Sequence, residues 1–404
     1  MIFYPANISL PDFSRTNAEK WAVIACDQFT SEPAYWEACD RFVGDAPSTL
    51  RMILPEAWLG QNDGSRAART AEVMRQYEGT VLREAPPSYI YVERTQPDGR
   101  VRAGLVGMVD LEDYDYAPAS ASPIRATEGT VLSRIPPRVA IRRGALYELP
   151  HILLLSDDPE DRLLAPYTGG TGLAPLYDTP LMLGGGHIRG WRVSADECAR
   201  VNAALTAGTS SIVLAVGDGN HSLAAAKAYY EEQKLRLGDA ARHSPARYAL
   251  AEVTNLHSPA LDFSPIYRLV TCCEPEKVAC AFEEFLRTTA LDPAAGVYPA
   301  GEVTLVWRGG ERICRFPHGR HPLTVGTVQA FLDAHPTLSV DFIHDEGSLR
   351  ALAQETGALG FLFEGMEKSA LFPAVEAGGP LPKKTFSMGH ARDKRYYMEA
   401  RKLI

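Results

Sequence analysis

An acid and an imidazole stand three residues apart in the run Gly217-Asp218-Gly219-Asn220-His221-Ser222. At a strand end, Asp218 suits a metal ion or the proton of a substrate hydroxyl. His221 suits a phosphoryl oxygen or proton transfer. Gly217 and Gly219 let backbone N–H groups approach an anion closely. The run matches neither the Walker pattern, which needs a lysine after its last glycine, nor the dinucleotide pattern G-x-G-x-x-G. The plainer alternative is an ordinary turn in which Asp218 only caps the following helix.

Three other parts of the chain carry chemistry. The segment from Ile124 to Arg138 holds Arg125, Glu128, Thr130, Arg134 and Arg138. Arginines near hydroxyls suit phosphate, because a guanidinium fork matches phosphate oxygens. The alternative there is a solvated helix face with surface ion pairs. Asp27 follows the apolar run Trp21–Cys26, and Asp157-Asp158 follow Leu149–Leu155. Each acid is expected at a strand end, where α/β proteins place ligands, and capping is the simpler role for all three. Lys383 and Lys384 stand beside Thr385 and Ser387, which suits a phosphate or else a solvated tail.

These groups need elements to hold them. Ile212–Val216 is an unbroken apolar run of strand length, as expected for a strand buried on both faces. Ala, Lys, Tyr and Glu from Leu223 onward predict a helix, with Asn220 or Ser222 as its cap. Trp21–Cys26 and Leu149–Leu155 predict two more buried strands, and Pro33–Arg41 a helix. Ser88–Arg94 and Arg100–Val109 predict a hairpin around Pro97-Asp98-Gly99. Gly169–Gly190 has no clear period and predicts a binding loop. Beyond Leu269, helices at 275–288, 325–334 and 347–356 alternate with strands at 303–307, 312–316, 339–344 and 360–363. Arg392–Arg401 predicts a short final helix. The fold class is therefore α/β (α+β mixed), with an N-terminal mixed-sheet domain at 1–268 and a smaller C-terminal α+β domain at 269–404 whose basic tail closes over the site.

Bulk properties narrow the partners. The 404 residues carry a net charge of −9, which argues against a nucleic-acid surface. A small anionic or phosphorylated ligand still fits, because arginines can cluster locally. The 7 cysteines are odd in number and scattered, without a C-x-x-C pair. They are expected as reduced thiols of a cytoplasmic protein. No run reaches the apolar length of a membrane span, and Pro5, Pro11 and Asp12 interrupt the place of a signal peptide. A homodimer is the assembly left open.

Taken together, these stretches resemble the bacterial and archaeal family called domain of unknown function 1015. The likeness rests on Ala25–Pro33 with Tyr35-Trp36, Thr127–Thr130 with Ser133–Arg138, Gly217–Ser222, Leu256–Asp262 and Pro382–His390. The family's central turn reads D-G-H-H-R; here it is Asp218-Gly219-Asn220-His221-Ser222, without the first histidine and the arginine. The common P-P-K-S-T run matches Pro382-Lys383-Lys384-Thr385. An R-H-E-x-T run matches Glu128 and Thr130, with Arg125 one residue further away. The turn also looks like the phosphate-binding turn of the ParB/sulfiredoxin superfamily, in which some members bind nucleotides and some phosphorylate free serine.

That resemblance implies phosphoryl-site roles for Asp218 and His221 and a base role for Glu128. Gly217, Gly219, Asn220, Ser222 and Thr130 would line the phosphate or substrate. Arg125, Arg134 or Arg138 would replace the missing arginine, and Lys383 would neutralise charge. Asp27 or Asp218 would hold Mg2+, and the donor would be ATP, ADP or pyrophosphate. The implied activity is a small-molecule phosphotransferase acting on a small hydroxylated acceptor such as free serine. Two other classes stay open. One is a nucleotide- or metabolite-binding regulator without turnover. The other is a metal-dependent hydrolase built on Asp27, Asp157, Asp158, Asp218 and His221.

Overall fold

The computed structural model describes residues 1–25, 29, 32–55, 57, 63–118, 120–271, 274–288, 298–389 and 391–404. The chain forms two compact units. The first comprises Met1–Ala126, Thr130–Leu261 and His390–Ile404, and the second Thr127–Gly129 and Asp262–Gly389. The sequence puts the change of domain near Leu269 and gives the tail to the second part. In the structure the change falls at Leu261–Asp262, and the final residues belong to the first unit because Ala400–Lys402 pairs with Ile8–Pro11 and Tyr147–Glu148.

The first unit is built on a ten-stranded mixed sheet. Its strands are Phe3–Tyr4 (β1), Ser88–Thr95 (β2), Val101–Asp110 (β3), Tyr114–Asp115 (β4), Ile124–Ala126 (β5), Leu153–Ser156 (β6), Ala174–Pro180 (β7), His187–Ser194 (β8), Leu214–Asp218 (β9) and Tyr248–Asn255 (β10). Their order is β7-β8-β2-β3-β10-β6-β9-β5-β4, with β1 beside β3. The α/β class expected from the sequence holds. Both faces of the sheet are covered, which is why its strands read as apolar runs. Ile90, Val92, Val106 and Leu250 face one core with Trp21, Trp36 and Met398. Tyr89, Tyr91, Leu105, Leu154, Leu214 and Val216 face the other.

Helix Ile135–Gly144 (α1) lies against helix Asn220–Leu237 (α2) through Ile135, Val139, Ala224, Ala225 and Tyr229. No described helix is long and apolar enough to cross a membrane.

Three local expectations give way to tertiary contacts. Trp21–Cys26 is not a strand. A helix ends at Trp21, Ile24 makes an isolated bridge to Tyr396, and Cys26 lies outside the described residues. Gly169–Gly190 is not a long loop, since most of it is the hairpin β7–β8. Gly190 makes that hairpin possible, because a Cβ there would sit 2.1 Å from the Tyr177 ring. Arg392–Arg401 is not a helix. Tyr396, Met398 and Ala400 enter the same core at every second position, and strand Ala400–Lys402 follows. A period of two is a strand period, and it outweighs local helix propensity.

The second unit has a five-stranded antiparallel sheet in the order Gly310–Phe316, Gly301–Trp307, Leu359–Phe363, Tyr267–Thr271, Ser339–Ile343. Helices Pro275–Thr288 and Thr324–Ala334 contribute Phe282 and Phe331 to the core on one face. Helix Glu346–Thr356 contributes Leu349 and Ala353 on the other.

A buried ionic cluster ties the tail to the large sheet. Arg395 bonds Glu252, Glu399 and the carbonyl of Pro150. Arg102 Nε lies 3.4 Å from Glu252, whose carboxylate occupies the space above Gly104. All four charged side chains are almost fully buried. Removing one partner from such a cluster leaves the others uncompensated. Glu252→Ala is therefore expected to lower the unfolding free energy by about 3–5 kcal/mol. The check is a urea melt, with a lower midpoint and an unchanged slope. A wild-type midpoint would show that the cluster does not hold the tail.

Candidate functional site

The site is assembled at one end of β9. Val216 pairs with Leu154 and Asp218 with Leu153, so Gly217 is the extra residue of a bulge. A bulge ends regular pairing and re-aims the next side chain. Gly219 then takes φ +77° and starts α2 without a side-chain cap, so neither Asn220 nor Ser222 serves as the cap. The glycine is required twice over. The φ is left-handed, and a Cβ would meet Ile152 Cα at 3.0 Å and His151 Cδ2 at 3.2 Å.

Asp218 is held from both sides. Its Oδ1 accepts from the Gly219 N–H at 2.8 Å, and its Oδ2 lies 3.2 Å from Lys394 Nζ. Its side chain is 33% exposed and that of Lys394 13%. Burial works against the carboxylate charge, but Lys394, His151 and the Gly219 N–H outweigh it and hold the carboxyl below its usual range. His151 shares a 3.3 Å hydrogen bond with the Tyr397 hydroxyl. Behind the turn, Arg102 donates to the Asp393 carbonyl at 2.9 Å. Burial pushes Arg102 down to about 10, against the pull of Asp218 and Asp393, so it stays charged at neutral pH.

The first turn of α2 spends side chains on the neighbouring loop. Asn220 Nδ2 donates to Thr130 Oγ1 at 3.1 Å, and His221 Nε2 accepts from the Val131 N–H at 3.1 Å. A backbone N–H can only donate, so Nε2 is unprotonated in this arrangement and the neutral ring carries its proton on Nδ1. β5 runs parallel to β9, which brings the loop after β5 to the turn after β9.

The remaining sequence candidates are dispersed. Arg125 donates to the Ser122 carbonyl and to Ser211 Oγ. These residues precede β5 and β9, so its guanidinium is at the end of β9 away from Asp218. Arg134 is exposed, and its carbonyl accepts from Arg138. Ser222 is half-buried in the first turn of α2. Glu128 and Lys383 belong to the second unit, where Glu128 bridges Leu381.

β6 runs antiparallel to β9, so Asp157 and Asp158 lie at the far end from Asp218, about 13 Å along the strand. Asp157 meets His257 at 2.6 Å, and Asp158 accepts from the Leu163 N–H. Asp27 lies outside the described residues.

Lys394 and His151 are the site residues that sequence reasoning missed. His151 stands two residues before β6, whose other end attracted notice, and Lys394 sits in a stretch read as helix.

The chemistry on offer is anion binding beside a carboxylate. The N-terminus of the 18-residue α2 carries positive partial charge. Lys394 adds a full charge, and His151 a ring nitrogen. These groups fit a phosphate. Asp218 Oδ2 faces the Lys394 ammonium, and Asp27, the other metal candidate, lies outside the described residues. Among the described residues no three His, Cys, Asp or Glu converge on one point.

The profile of the family described as protein of unknown function (DUF1015) matches residues 12–402. No curated protein matches the chain. Among solved structures, a free serine kinase in complex with AMP is similar at 12% identity and TM-score 0.39, over 73% of this chain and 91% of that one. SbnI with a C-terminal truncation, from Staphylococcus aureus, is similar at 13% and 0.37, over 72% and 85%. A conserved hypothetical protein from Pyrococcus furiosus is similar at 10% and 0.35, over 70% and 90%. Likenesses of that depth carry no activity over to this chain.

The Asp218 geometry predicts a pH signature. Its lowered carboxyl pKa contributes stability that is complete above the unfolded value, roughly pH 4, and is lost as pH falls through the folded value. Asp218→Asn should therefore be less stable than wild type at pH 7, with the gap closing below roughly pH 4. Paired urea melts at neutral and acid pH measure it. Equal stability at pH 7 would remove the stabilising role of the Asp218–Lys394 pair.

Proposed function

Since the chain belongs to the DUF1015 family and its central turn sets an ionised carboxylate against an ammonium at a helix N-terminus, we propose that it is a small-molecule phosphotransferase. The donor is ATP, ADP or pyrophosphate, and the acceptor a small hydroxylated metabolite, with free serine the first to test. The observation that carries this reading is the Asp218–Lys394 pair, with its side chains 33% and 13% exposed. An ion pair between two partly exposed groups is held less tightly than a buried pair with fixed partners. This pair is placed where an incoming anion can compete for the ammonium.

In the proposed step the acceptor hydroxyl oxygen bonds to the terminal phosphorus. The phosphorus–oxygen bond to the leaving phosphate breaks, and its electron pair leaves with AMP, ADP or inorganic phosphate. The hydroxyl proton passes to a carboxylate. Phosphoryl transfer needs little covalent help; alignment and charge neutralisation supply the rate. Lys394 and the first turn of α2 neutralise the transferred group, while Gly217 and Gly219 keep side chains out of its way. His221 shapes the loop at Thr130–Val131. Asp218 is ionised at neutral pH and can take the proton. Glu128 is the base that the sequence resemblance implies, and a variant of each decides between them.

The test incubates the purified chain with each donor and free serine and follows phosphorylated product over time by phosphorus NMR. Wild type should form product. Loss of the true base should lower turnover by about 10²–10⁴-fold, in Asp218→Asn or in Glu128→Gln. Lys394→Met should raise the donor concentration needed for half-maximal rate. Thermal stabilisation by a donor without product would instead identify a nucleotide-binding regulator.

A further inference from the structure

The second unit buries an arginine that donates to two successive carbonyls of one turn. Arg268 lies in the strand Tyr267–Thr271 and has no exposed surface. Its NH1 donates to the carbonyls of Ile266 at 2.6 Å and Lys384 at 2.9 Å, and its NH2 to that of Lys383 at 2.9 Å. Nε reaches Gln329 Oε1 at 3.4 Å, and the guanidinium stacks 4.7 Å from the Phe342 ring. None of these partners is a carboxylate. Burying a guanidinium without a bonded carboxylate is costly, so the contact it makes should matter.

What it holds is the Lys383–Lys384 turn. In a trans peptide the C=O and N–H point opposite ways, and no peptide here is cis. The carbonyls of Lys383 and Lys384 both point at the guanidinium. The N–H groups of the same two peptides, carried by Lys384 and Thr385, therefore point away from it. Lys384 has φ +56°, and a left-handed residue in a turn is one around which successive N–H groups can make a concave anion-binding nest. Both lysine side chains are exposed on this turn.

The flanks are also fixed. Thr385 Oγ donates to the Pro382 carbonyl at 2.7 Å, and the Leu381 N–H to Thr127 at 2.7 Å. Glu128, next to Thr127, bridges Leu381 and is the acid whose charge Arg268 feels. Two candidates 255 positions apart in sequence (383 − 128) thus share one support.

We propose that Arg268 is a positioning residue that holds the Lys383–Lys384 turn of the second unit as an anion site for phosphate groups. The inference rests on the phosphotransferase reading for the identity of the anion. The support itself is a property of the second unit.

The test measures pyrophosphate affinity of the full chain by calorimetry, alongside the ligand-free melting temperature. Lys383→Ala with Lys384→Ala removes only exposed side chains. It should weaken binding at least about tenfold without lowering the melting temperature. Arg268→Met should weaken binding to a similar degree, and adding the two lysine changes to it should weaken binding little further, because the turn is already lost. Arg268→Lys should recover part of the affinity. A lysine double variant that binds like wild type overturns the proposal, as do Arg268 and lysine effects that simply add. If pyrophosphate still binds in that case and Lys394→Met abolishes it, the phosphotransferase reading survives alone. If wild type binds neither pyrophosphate nor nucleotide, both fall.

Discussion

The ion cluster of Arg395 with Glu252 and Glu399 is the constraint on which the candidate site depends. Charges this deeply buried are tolerated only in a fixed geometry, and that geometry sets the path of the tail. Arg94 and Arg102 take up the carbonyls of Arg392 and Asp393 on either side of the same path. With Arg392, Asp393 and Arg395 all fastened, Lys394 has one way to project, and Asp218 is what it meets. The ammonium at the site is thus placed in part by its neighbours in sequence. Gly104 is part of the same device, since its missing side chain leaves Glu252 the room to reach Arg102.

Strand direction decides the rest. β5 is parallel to β9, so the loop carrying Thr130 and Val131 arrives at the turn and is tied there by Asn220 and His221. β6 is antiparallel, so its beginning arrives there and its end departs. A mixed sheet therefore draws its site from the ends of some strands and the starts of others. The rule that ligands gather at the carboxyl ends of strands belongs to all-parallel sheets.

That difference explains what was legible in the sequence. The strand, glycine turn and helix around Asp218 were readable, because a buried strand and a long helix have strong local signatures. Three helices and the hairpin of the second unit were readable, because they are short-range structures with clear periodicity, whereas strand Tyr267–Thr271, cut by the expected boundary near Leu269, and helix Leu371–Gly378 were not. His151 was not, because its importance lies in the direction of β6, and direction is set by pairing across the sheet. Lys394 was not, because Arg392–Arg401 has helix-forming side chains, and only the core contacts of Tyr396, Met398 and Ala400 make it extended. Arg125 was overrated for a related reason. Its residue type suits phosphate, but its partners Ser122 and Ser211 lie at the wrong end of the strands.

The first unit is interrupted in the chain, and its segment from His390 onward is the last part of it to be synthesised. A nascent chain stopped anywhere before Lys394 carries Asp218 and the α2 turn but not their ammonium, and it leaves Glu252 buried without Arg395. Translation thus orders the assembly. The intervening unit is complete in sequence before the first unit receives this later piece. Prematurely terminated chains are then marked twice, by an unstable sheet and by an incomplete site.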